Sequence, residues 1–170
     1  EPVQEDEEAR RVAPVVEALV AELDGLPVSV DTYKADVARA ALDAGASIIN
    51  DIGAGLLDGR MLETVARSEA GYVLMHMRGK PRTMQQDTDY EDLPGEVFSF
   101  FREGLERCTA AGIDPECVAL DPGIGFGKTP DHNLALLRGM SLFHGLGCAV
   151  LLGVSRKRFI GLIGNAQDAA

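Results

Sequence analysis

Four short strings in this chain hold residue types suited to gripping a small, flat, polar ligand. The most informative is DPGIGFGKT, Asp121 to Thr129. It fails as a Walker A loop, because Pro122 stands five positions before the Gly127–Lys128 pair where a glycine is needed. It also fails as a dinucleotide fingerprint, because Gly123, Gly125 and Gly127 are spaced GxGxG and not GxGxxG. What remains is either a plain glycine-rich turn or a turn whose glycines let the backbone approach a flat ligand. In the second case Asp121 faces that ligand. A carboxylate accepts two parallel hydrogen bonds, which suits an amino-pyrimidinone edge presenting N–H beside NH₂. Asp31 and Asn50 would add an acceptor and a mixed donor–acceptor, although Asp31 could equally cap the helix that follows it.

SRKRFIG, Ser155 to Gly161, sets Arg156, Lys157 and Arg158 in a row on an acidic protein. Cations at a helix start oppose the macrodipole, so an anionic or electron-rich ligand is the expected reason for them. His76, in LMHMRG, reads more readily as a hydrogen-bonded structural histidine than as a base, and Met75 and Met77 read as core or pocket wall. No HExxH, nucleophile elbow or zinc-ligand spacing occurs. No metal ligand is expected among these residues.

The elements that must carry these groups follow from hydrophobic period. Glu5 to Leu23 has Val12, Val15, Val16, Leu19, Val20 and Leu23 at helical spacing. Strands are expected at 28–31, 47–50, 72–75, 117–121 and 149–152, and helices at 34–44, 61–68, 96–111 and 133–138. The polar 77–95 segment reads as a long surface loop. Short apolar strands alternating with helices imply a parallel sheet. Each expected strand ends on a polar residue or leads into one: Asp31, Asn50, His76, Asp121 and Ser155. Both an α/β barrel and an open doubly wound sheet place their site at that end, and period alone does not choose between them.

Composition narrows the partners. The 170 residues carry 16 Lys+Arg against 27 Asp+Glu, a net charge of −11. Phosphate backbones and anionic membranes are repelled by such a surface, so neither nucleic acid nor membrane is an expected partner. Three cysteines without a CxxC pair fit reduced thiols in the cytoplasm. The acidic start EPVQEDEE is unlike a signal peptide.

VSVDTYKADVA, GASIINDIGAG, YVLMHMRGKPRTMQ, LDPGIGFGKT and LLGVSRKRFIG together resemble dihydropteroate synthase, in that family's order and over nearly the whole chain. The resemblance implies a (β/α)8 TIM-barrel fold, with about five βα units in a single pterin-binding domain over 1–170 that is incomplete at both ends. Strands one, two and eight would be missing, since such barrels take about 250 residues.

The implied reaction joins 6-hydroxymethyl-7,8-dihydropterin diphosphate to p-aminobenzoate, giving 7,8-dihydropteroate and diphosphate, with sulfonamides as competitors. The implied pterin pocket is Asp31, Asn50, Ile52, Met75, Asp121, Gly153 and Lys157. Asp31, Asp121 and Lys157 would be its catalytic groups. Phe126 would shape the p-aminobenzoate pocket, beside Arg158, where family members often carry serine. The resemblance also implies Mg2+, whose usual asparagine region is not in this sequence, and a cytoplasmic homodimer. A chain lacking those strands is expected to be inactive by itself. The alternatives are a pterin-binding methyltetrahydrofolate methyltransferase-type barrel and an inactive pterin-binding paralogue or fragment.

Overall fold

A computed structural model describes residues 3–79, 84 and 88–164. Five strands form one sheet: β1 (Ser29–Asp31), β2 (Ile48–Asp51), β3 (Gly71–Met75), β4 (Val118–Asp121) and β5 (Ala149–Val150). All neighbours are parallel and lie in sequence order, β1-β2-β3-β4-β5. A doubly wound sheet reverses its strand order at a switch point, and here no reversal occurs. Right-handed crossovers running steadily one way lay every helix on the same face. The sheet is therefore an arc of a (β/α) barrel.

The helices are α1 (Glu5–Glu22), α2 (Ala35–Asp43), α3 (Met61–Ala66), α4 (Leu93–Ala111), α5 (Pro130–Arg138), α6 (Ser141–His144) and α7 (Arg158–Ile163). The core lies between them and the outer face of the sheet. Val30, Ile49, Tyr72, Leu74, Val118 and Leu120 from the strands meet Ala38, Met61, Val97, Phe101, Leu136 and Phe143 from the helices. Successive strand residues point to opposite faces, so the alternate set lines the concave side. Ser29, Ile48, Asn50, Val73, Ala119, Ala149 and Leu151 border a cavity of about 280 Å³ there.

Two helices start three residues earlier than their apolar period suggests, because caps outrank period at a helix start. Asp92 caps α4, its carboxylate accepting from Gly95 N at 3.2 Å. Thr129 caps α5 with a reciprocal box to His132, and Pro130 occupies the first turn. α6 has no counterpart among the elements expected from hydrophobic period. The β5 ladder is shorter than expected, though Leu151 N still donates to Leu120 O at 2.9 Å. α1 runs through Pro14 and buries only Val16, leaving Val15, Leu19, Val20 and Leu23 exposed. Among the described residues no helix is long and apolar enough to cross a membrane.

Candidate functional site

The pleat explains how residues so far apart in sequence share one surface. Register places Asp31 beside Asn50 and Met75 beside Asp121. Counting by twos from the cavity-lining positions, Asp31, Asn50, Met75 and Asp121 all belong to the concave face at the C-terminal strand ends. Gly153 continues the same alternation beyond β5. Ile52 continues it beyond β2 and is half-buried.

Asp31 does not cap the next helix. Thr32 Oγ1 accepts from Lys34 N at 3.2 Å, and Asp58 Oδ2, from the loop after β2, accepts from Ala35 N at 2.9 Å. Asp31 instead accepts a hydrogen bond from Asn50 Nδ2 at 2.5 Å. The Asn50 Oδ1 is buried with no partner. A buried carbonyl oxygen without a donor costs roughly 1–3 kcal/mol, and such an atom at a concave strand end is left available to an N–H or O–H donor from outside the chain.

The adjacent Asp51 has the opposite fate. It points to the helix layer, is 1% exposed, and accepts from Gly53 N and Gly55 N, each at 2.7 Å, and from Tyr72 OH at 2.8 Å. Burial raises its pKa, and the three donors oppose that rise. Asp51 thus braces the turn that follows Asn50.

Asp121 is buried, and its Oδ1 accepts from Gly123 N at 2.8 Å. Desolvation pushes its carboxyl pKa up, opposed by the Gly123 amide and by the nearby Lys157 and Lys128 ammonium groups. Lys157 Nζ lies 4.1 Å from the centroid of the Phe126 ring, a cation–π contact. Burial lowers the Lys157 pKa and Asp121 counters it. Arg158 opens α7 and is exposed. Arg156 holds a positive φ of 58°. Gly125, Lys128, Arg156, Lys157 and Arg158 border a second cavity of about 450 Å³. The structure thus gathers Asp121, Phe126, Gly153 and Lys157 into one group, and Asp31 and Asn50 into a pair on the same face.

His76 is 5% exposed, and its Nδ1 lies 3.0 Å from Lys128 Nζ. Burial and the Lys128 and Arg78 charges drive its pKa down to about 3. It is a neutral structural histidine, its ring edge-on to Phe100 at 4.9 Å between centroids. The sign of its pH effect follows. As pH falls below 6.5 the unfolded imidazole takes up a proton that the folded one refuses until about 3. The stability contribution of neutral His76 is therefore complete above pH 6.5 and lost progressively down to about 3, by up to about 1.4 kcal/mol per pH unit. Urea midpoints at pH 7, 5.5 and 4.5 should converge between wild type and His76→Gln as pH falls. Asp51 and Asp121 act with the opposite sign in both proteins and cancel. A pH-independent difference would sink the reading.

Lys128 is inconspicuous in the sequence, where it passes as the tail of a glycine-rich turn. Only its near-complete burial reveals it, at 4% exposure. The 77–95 loop is fastened at its described ends. The Arg78 guanidinium stacks on Tyr90 at 3.9 Å and pairs with Glu96, and Tyr90 OH donates to Gly127 O at 3.1 Å. Among the described residues no group of three or more His, Cys, Asp or Glu side chains is placed to hold a metal ion.

Comparison with known proteins agrees with this geometry. The chain is 45% identical over 168 residues to the dihydropteroate synthase of Synechocystis sp., covering 99% of this chain and 58% of that protein. It superposes on the Stenotrophomonas maltophilia dihydropteroate synthase with active site-bound imidazole at a TM-score of 0.93 and 42% identity, covering 99% of this chain and 63% of that one. It also superposes on the Thermus thermophilus enzyme in complex with 4-aminobenzoate at 0.90 and 45%, with the same coverages. This chain therefore spans about three fifths of the relatives it matches. The family described as pterin binding enzyme matches residues 1–170, and with the strand-end carboxylates and amide gathered on one concave face, this chain belongs to that family.

Proposed function

We propose that the concave face binds a pterin. In the whole protein it would serve the condensation of 6-hydroxymethyl-7,8-dihydropterin diphosphate with p-aminobenzoate to 7,8-dihydropteroate and diphosphate. The observation that carries this reading is the buried, unpartnered Asn50 Oδ1 on the same face as the buried Asp121 carboxylate. Asp121 takes the ring N–H and 2-amino edge as paired charge-assisted hydrogen bonds. Asn50 accepts a ring N–H while its amide stays on Asp31. Lys157 donates to the ring carbonyl side, and Met75 and Ile52 supply the apolar wall.

The carbon–oxygen bond to diphosphate breaks with its electron pair leaving on oxygen. The arylamine nitrogen then bonds to that carbon and releases a proton. Carboxylates around a ring that becomes cationic stabilise the transition state more than the ground state. The contribution of these groups is thus electrostatic and positional, and neutral His76 is no part of it. The Thermus thermophilus relative holds 4-aminobenzoate, which supports the arylamine as second substrate and sulfonamides as its competitors. Phe126 and Arg158 border its place in this reading.

Cytoplasmic residence is supported by free Cys108, Cys117 and Cys148. Magnesium and a homodimer rest on the resemblance alone, and no chemical step is assigned to the metal. The test is calorimetric titration of the chain with pterin-6-carboxylic acid. A folded chain that binds none overturns the reading.

A further inference from the structure

We infer that Lys128 is a positioning residue of this site, its buried ammonium fastening the loop after β4 to the end of β3 and so holding the Phe126–Lys157 wall for the arylamine half of the ligand. The inference rests on the pterin reading above and adds a residue and a division of labour to it.

The geometry is that of a three-point clamp. Lys128 Nζ lies 3.0 Å from His76 Nδ1 and 3.3 Å from His76 O, and donates to Phe126 O at 2.9 Å. An ammonium has three donors, and these acceptors use them all. Two belong to the end of β3 and the third to the loop carrying Phe126. Burying a cation this deeply is costly, and a merely space-filling residue would be apolar. What the cation gains here is a bridge between two strand ends where they abut most closely, since a Cβ on Gly123 would lie 2.0 Å from His76 O. From the other side, Tyr90 OH holds Gly127 O. The loop between Gly123 and Lys128 is thereby tied at both neighbours, and the Phe126 ring stays under Lys157.

The groups facing Lys128 are His76 and Arg78 at the end of β3, Asp121 of β4 and Lys157 before α7. Burial and the two cations Arg78 and Lys157 lower its pKa to about 7, and Asp121 opposes them. The clamp is therefore strongest below neutrality, where Lys128 is charged and His76, held down to about 3, is still an acceptor.

The clamp's hydrogen bonds do not orient the pterin edge, and its charge only joins Lys157 in favouring the ionised Asp121 carboxylate. Asp121 Oδ1 is set by Gly123 N, and Asn50 by Asp31. Loss of Lys128 should therefore weaken the arylamine half selectively. The test compares the Kd of pterin-6-carboxylic acid with that of pteroic acid, which adds the p-aminobenzoate half, in wild type and Lys128→Met. Wild type should bind pteroic acid more tightly. Lys128→Met should lose about tenfold of that advantage while its pterin-6-carboxylic acid Kd moves less than threefold.

An advantage retained in full, or both affinities falling together, overturns the inference and leaves the pterin reading standing. Wild type that binds neither compound overturns both. A readout independent of the variant's folding comes from nitrogen NMR of wild-type imidazoles. His76 should show Nε2–H with Nδ1 as acceptor and no titration between pH 8 and 5. A His76 protonated at Nδ1, or titrating near pH 6.5, breaks the clamp and overturns the inference.

Discussion

Asp121→Ala should abolish measurable pterin binding, an expected weakening of a hundredfold or more, while circular dichroism stays that of the folded chain. The size follows from what is lost. A hydrogen bond to a charged acceptor contributes about 1.5–3 kcal/mol, and the paired edge uses two, so two orders of magnitude is a lower estimate. The carboxylate is already oriented. Its Oδ1 is held by Gly123 N at 2.8 Å, and its Oδ2 faces Gly153, where even a Cβ would come to 3.8 Å. Burial raises its pKa, and Lys157 and Lys128 hold it back toward the ionised form, so the strand end presents an oriented acceptor to a pair of donors. Calorimetric titration of wild type and variant with pterin-6-carboxylic acid checks this. Retained affinity in the alanine variant removes Asp121 from the site.

Gly123→Ala should be the most destabilising single-methyl addition in the loop after β4, by about 3 kcal/mol or more. Gly123 has a φ of +67°, and an added Cβ would sit 2.0 Å from the backbone carbonyl oxygen of His76. Neither partner yields cheaply, since His76 N is itself bonded to Asp121 O at 2.8 Å and its carbonyl faces the Lys128 ammonium. Gly125→Ala is the natural control. Its φ of +83° is equally strained, but the nearest atom is the Lys157 Cδ at 3.0 Å, part of a flexible side chain that can swing aside. Urea denaturation should rank wild type above Gly125→Ala and that above Gly123→Ala. Equal stability of the two variants would falsify the close approach of the strand ends.

Much of this arrangement is legible in the chain itself, because it follows from local rules. Short apolar runs bounded by turns mark β2, β3 and β4, and the residue ending each run is picked out by its polarity. A period of two then puts Asn50 and its neighbour Asp51 on opposite faces whatever the surrounding fold. Helix ends are less legible where apolar period is followed and caps are not. Asp92 and Thr129, each followed within two residues by a proline, set the starts of α4 and α5.

Tertiary structure decided what depends on contacts between distant segments. Consecutive strand order, and not period, distinguishes a barrel arc from a doubly wound sheet, because both have the same local pattern and differ only in which strands pair. The role of Asp51 needed Tyr72, 21 residues away, to close its hydrogen-bond set. Lys128 needed His76, 52 residues away, before its ammonium became a buried clamp instead of an ordinary surface charge. Asp31 is a plausible helix cap until Asp58 is seen supplying an acceptor at that helix start. The sequence by itself determined which side chains stand at the strand ends. Only the folded chain determined which of them remain free to meet a ligand, since that depends on partners brought in by pairing and packing.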